Sequence, residues 1–99
     1  MAKEFSIGEY LAAKERMRNL SSLQRKIVDA IHHLGEMPTN TEIARYCFST
    51  HQTVSSTLSV LKGKKIVNNI SFGRNSYWNI TDLQICQMLD IQKQPRNNL

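Results

Sequence analysis

The chain has 99 residues, enough for one small domain with a modest core. Thirteen Lys and Arg against eight Asp and Glu give a formal charge of +5, and no run is apolar enough for a membrane span or a secretory signal. Cys47 and Cys86 stand in no metal-ligand or redox spacing and read as reduced core thiols of a soluble, cytoplasmic protein.

Helix starts are marked by a hydroxyl residue followed three positions on by Glu or Gln, a pairing that reciprocally satisfies first-turn amides. Ser6 with Glu9, Ser21 with Gln24, Thr39 with Glu42 and Thr81 with Gln84 fit it, and Ser49 with Gln52 makes a fifth. Apolar staples, Phe5 with Tyr10 and Ile80 with Ile85, reinforce the first and last. Residues 1–20 should hold a helix from about Ile7 to Arg18, turning Ile7, Tyr10, Leu11 and Met17 to one side, as a core extension or a dimerisation element. Leu23, Ile27, Ala30, Ile31 and Leu34 recur at helical spacing from Ser22 to Leu34, where Gly35 supplies the stop. A short helix from Asn40 to Cys47 buries Ile43, Ala44 and Cys47, and Phe48 to Thr50 form the turn after it.

The next helix, His51 to Lys62 and ended by Gly63, points Val54, Leu58 and Leu61 inward and Gln52, Ser55, Ser56, Ser59 and Lys62 outward. Lys65 to Ile70 and Ser76 to Ile80 read as two strands of a hairpin whose tip carries Gly73, Arg74 and Asn75, with Trp78 and Ile80 on one face. Trp78 in this place reads as core. A last helix, within residues 81–92, runs from Asp82 to about Ile91 with Leu83, Cys86, Met88 and Leu89, and residues 93–99 read as a flexible polar tail. The fold class is mainly α with one small β-hairpin.

Between Glu42 and Asp82 there is no acidic side chain, whereas Arg45, His51, Lys62, Lys64, Lys65 and Arg74 all fall there. A surface cleared of carboxylates suits a polyanion, since each Asp or Glu facing a phosphate adds repulsion. Short polar side chains on a helix anchored by its other face permit close approach to base edges in the major groove. Gln52, Ser55, Ser56 and Ser59 fit that role, while Thr50, His51 and Thr53 sit at the helix start, where free amides attract phosphate. Lys62, Lys64 and Lys65 at the helix exit, with Arg74 and Asn75 at the hairpin tip, complete the candidate DNA-binding set.

The segment from Ser21 to Ile80 resembles the winged helix-turn-helix domains of small bacterial, phage and plasmid regulators. The likeness rests on Thr41-Glu42-Ile43-Ala44, the turn at Phe48 to Thr50, Val54-Ser55-Ser56-Thr57-Leu58 with Leu61, Lys64-Lys65, and the strand Tyr77-Trp78-Asn79-Ile80. It implies a homodimeric regulator that reads double-stranded DNA with helix 51–62 and touches the backbone or minor groove with wing 71–76. A winged-helix module for protein–protein interaction is the alternative. Catalysis is not expected, because no paired carboxylates and no nucleophile with an evident base occur, nor is a cofactor, metal or small-molecule substrate. Cys47 and His51 are separated by the predicted turn, and the adjacent His32 and His33 point in different directions.

Overall fold

In a computed structural model of the chain, which describes residues 6–93, three of the expected capping boxes close. Ser6 and Glu9 open α1 (Ile7–Arg18), Ser21 and Gln24 open α2 (Ser22–Leu34), and Thr39 and Glu42 open α3 (Asn40–Cys47). The other two caps lie one residue later than expected. Thr50, not Ser49, caps α4 (His51–Gly63), its hydroxyl oxygen accepting from the Thr53 amide. Asp82, not Thr81, caps the final helix, α5 (Leu83–Lys93), with Oδ1 accepting from the Ile85 amide. The Thr81 hydroxyl instead donates to the Lys65 carbonyl, leaving the stronger carboxylate acceptor to the helix. The expected Phe5–Tyr10 staple and the tail from residue 94 lie outside the described residues.

Apolar periodicity then assembles one core. Ile27, Ile43, Val54, Leu58, Leu61 and Ile85 are fully buried, drawn from α2, α3, α4 and α5, and α1 adds Ala13 and Met17 with Tyr10 partly covered. The stripe on α1 is therefore 10, 13 and 17. Ile7 and Leu11, expected on the inward side, are 77% and 58% exposed. Leu34 and Leu83 also lie at the surface.

Two strands, β1 (Val67–Phe72) and β2 (Asn75–Ile80), pair antiparallel in the register Val67 with Ile80 through Phe72 with Asn75. The hairpin starts two residues later than expected because the chain first completes a Schellman cap on α4. The Ile66 amide bonds the Leu61 carbonyl and the Lys65 amide bonds that of Lys62, while Ile66 and Leu61 are both buried. Lys65 occupies the left-handed position of this motif at φ 64°, where glycine is usual, and Gly63 remains helical. At the tip, Gly73 has φ 64° and Arg74 has no positive φ, the signature of a type II′ turn.

A third chain segment joins the hairpin. Gly35, Glu36 and Met37 all have positive φ, turning the chain so that Pro38 accepts from the Trp78 amide at 3.0 Å and Thr39 bridges Tyr77. Beside this bridge the Trp78 indole donates to Asn40 Oδ1 at 2.6 Å, and Asn40 Nδ2 donates to Ser55 Oγ at 2.8 Å. One asparagine thus ties β2, α3 and α4 together. At the opposite end, Arg16 of α1 pairs with both oxygens of Asp82 at 2.9 and 3.0 Å and with Gln84, docking α1 on the start of α5.

Two stability outcomes follow. Asn40→Ala should destabilise by roughly 1–3 kcal/mol, because the buried indole N–H loses its acceptor; an unchanged melting midpoint would refute the tie. Lys65→Gly should stabilise by about 0.5–1 kcal/mol, since the left-handed conformation disfavours a side chain and exposed Lys65 gives up no core contact. Denaturant titration of both variants against the parent measures each effect.

Candidate nucleic-acid interface

Because Val54, Leu58 and Leu61 are drawn fully into the core, the opposite side of α4 is committed to the surface. His51, Gln52, Thr53, Ser56 and Ser59 are exposed there, and neither Gln52, Ser56 nor Ser59 has a side-chain hydrogen bond within the described residues. Ser55 differs. Its half-buried hydroxyl oxygen accepts from Asn40, so it braces α4 against α3 and has less of its hydrogen-bonding capacity left to offer. Thr50 and Thr53 are engaged with one another, Thr50 Oγ1 donating to Thr53 Oγ1 at 2.9 Å within the cap.

The hairpin tip comes back toward the start of α4. A shallow cleft of about 280 Å3 brings His51, Arg74 and Asn75 together with Thr39, Asn40 and Thr41 at the start of α3. Two helix N-termini therefore open near one arginine. Free first-turn amides and the positive dipole ends of two helices favour an anion in such a place, and Arg74 adds a full charge. Sequence reading missed the contribution of Thr39, Asn40 and Thr41, since they belong to a cap some thirty-five residues from the tip; the only local signal was the capping box itself.

The three lysines divide. Lys62 Nζ donates to Asn69 Oδ1 at 2.7 Å, and Asn69 Nδ2 donates to Ser76 Oγ, so Lys62 props the hairpin against α4. Lys64 lies at the far end of α4, beside Arg16 and Asn19 of the α1–α2 corner, away from the cleft. Lys65 is exposed between helix and hairpin. Among the described residues, none of Arg45, Lys62, Lys64, Lys65 and Arg74 forms an ion pair; the ion pairs there join residues of α1, α2 and α5 or its cap. Two carboxylates do approach this half of the molecule. Glu42 is held in its capping box by Thr39, and Glu36 borders the outer face of the hairpin with Met37, Ile70, Phe72 and Tyr77.

Trp78 is buried, as expected from its place in β2, and offers no face for base stacking. Cys47 is also buried and lies against α2, its thiol directed to the Lys26 carbonyl, and burial pushes its pKa up. No helix among the described residues is long and apolar enough to cross a membrane.

No protein-family model matches the sequence, and no curated protein matches it significantly. Solved structures do. MepR of Staphylococcus aureus, a transcription regulator of a multidrug efflux pump, superimposes with a TM-score of 0.65 over 85% of this chain at 20% identity. FabT of Streptococcus pneumoniae, solved in complex with DNA, gives 0.67 over 89% at 16% identity. The present chain spans only 64% and 63% of those two chains. A fragment, residues 1–100, of a possible ArsR-family regulator of Mycobacterium bovis, a homodimeric winged helix-turn-helix DNA-binding domain, gives 0.63 over 93% of this chain and 86% of its own at 18% identity. With its helix order, its hairpin and the short bridge at Thr39, the chain has the winged helix-turn-helix fold.

Proposed function

We propose that the chain binds double-stranded DNA in a sequence-specific manner as a transcriptional regulator. Helix α4 enters the major groove and wing residues 71–76 rest on the backbone or minor groove. The observation that carries this reading is the exposed ridge of Gln52, Ser56 and Ser59 lying beside cations that no acid among the described residues pairs with. Gln52 is the best base reader, as its amide can make paired bonds to adenine. Ser56 and Ser59 are short enough to let the helix approach, and His51, Arg74 and Asn75 receive a phosphate in their shared cleft. Lys65 supports the reading in another way: a lysine held in a conformation better suited to glycine gives up stability that a phosphate contact would justify. Lys62 and Ser55 act chiefly as braces for this surface.

The same reading makes the protein a cytoplasmic homodimer and not an enzyme. Exposed Ile7 and Leu11 on α1, with Leu83 on the adjoining α5, supply apolar surface for a second copy. Two copies would address half-sites roughly 34 Å apart. A second reading, a module for protein–protein interaction, is favoured by the outer face of the wing, where Phe72 is 77% exposed beside Ile70.

Salt dependence separates the two readings. With about four phosphates neutralised, log affinity for duplex DNA should fall against log salt with a slope of roughly −3.6, while an apolar protein interface responds little. Arg74→Ala combined with Lys65→Ala should flatten that slope by about one to two units, and Gln52→Ala should relax preference at a single base position by roughly 1–3 kcal/mol. Selection of duplexes from a random pool should return a palindromic motif. A slope near zero, or a pool left unenriched, counts against DNA as the partner; a strict monomer in sedimentation at micromolar concentration removes the dimer.

A further inference from the structure

Away from the α4 surface, α2 and α5 bring together three donors of different chemistry. His32 lies on α2, and Cys86 and Asp90 lie one turn apart on α5, so i and i+4 side chains project on the same side of that helix. The donor atoms of all three lie within 4.8 Å of one another, the one such group among the described residues. His32 Nε2 is 2.6 Å from Asp90 Oδ1. A helix-to-helix hydrogen bond accounts for that single contact but leaves two facts unexplained.

First, the imidazole is only 13% exposed and its other nitrogen, Nδ1, is buried without a partner, so the ring is held in place without being fully satisfied. Second, a thiol stands beside the pair. Cys86 is a free, half-buried thiol one turn from Asp90 on the same helix.

We propose that His32, Cys86 and Asp90 form a binding site for a divalent metal ion of the zinc class, clamping α2 to α5. Nitrogen, sulfur and oxygen donors in one set suit a borderline ion such as Zn2+ and disfavour Mg2+ or Ca2+, which require oxygens. On binding, the Cys86 thiol releases its proton to solvent and ligates as thiolate, with no change of oxidation state. Three protein donors leave a fourth position open. A cavity of about 250 Å3 adjoins it, lined by His32 and Cys86 together with Glu36 and Asn79. Asn79 Oδ1 is also buried without a partner, an acceptor available to a water or small ligand completing the shell. Since α2 belongs to the winged core and α5 flanks it, occupancy would stiffen the joint between them.

The test is titration of the reduced, chelator-treated full chain with Co2+ as a spectroscopic probe, followed by Zn2+. One equivalent of Co2+ should produce tetrahedral ligand-field bands and a sulfur-to-cobalt charge-transfer band in the near ultraviolet, and Zn2+ should abolish both. Cys86→Ser should remove the charge-transfer band, while Cys47→Ser, which alters the other thiol, should leave it intact. His32→Gln should weaken Co2+ affinity by at least roughly tenfold. Absence of the charge-transfer band in the parent chain, or its survival in Cys86→Ser, overturns the site. Equal Zn2+-induced rises in melting temperature for the parent and Cys86→Ser would do the same.

Discussion

The side chain of Asn40 is the joint on which this molecule's working surface depends. Its carbonyl oxygen takes the Trp78 indole proton and its amide reaches Ser55. The wing, the first helix of the helix-turn-helix and the second are thereby referred to one point. Packing alone would leave the relative rotation of α4 and the hairpin soft, because apolar contacts carry little directional information. Hydrogen bonds within a partly buried site do carry it, and they are expensive to leave unmade. The DNA-binding surface proposed above needs its helix and its wing in fixed relation, and the Trp78–Asn40–Ser55 chain provides that relation.

Charge is segregated around the same joint. The ion pairs of α1, α2 and α5 consume carboxylates on one side, with Arg16–Asp82 joining α1 to the start of α5 and Lys93–Asp29 joining α5 to α2. On the other side Arg74 and Lys65 have no ion-pair partner among the described residues. Exposed pairs contribute little to stability, so this division matters more for the field it leaves outside than for the energy it stores.

Much of the architecture was legible in the residues because its signals are local. Capping boxes at Ser6, Ser21 and Thr39, and the spacing of Val54, Leu58 and Leu61, lie within single helices and needed no tertiary knowledge. Errors arose where a choice between neighbours was made by a distant partner. Asp82 displaced Thr81 as a cap while Arg16, sixty-six residues away, pairs with its carboxylate. Ser55, outward by helical phase, was drawn into a brace by Asn40, fifteen residues earlier. The bridge at Pro38 and Thr39 was invisible for a like reason: Thr39 reads as a helix cap, and only the fold puts the Pro38 carbonyl opposite Trp78. His32 lies on a different helix from Cys86 and Asp90, more than fifty residues earlier, and Cys86 alone reads as an ordinary core thiol.

The three successive left-handed residues at Gly35, Glu36 and Met37 have a consequence for how such a chain can vary. They act as a crank of fixed throw: α2 ends, the backbone swings, and Pro38 arrives opposite Trp78 with no residue to spare. Adding or removing a residue there would slide Thr39 along β2 and carry the whole of α3 with it, misaligning both helix mouths against the arginine. Lengthening at Gly73 would leave α3 in place and shift only Arg74 and Asn75 against the cleft. A change of length in the crank therefore disturbs more of the working surface than one at the tip.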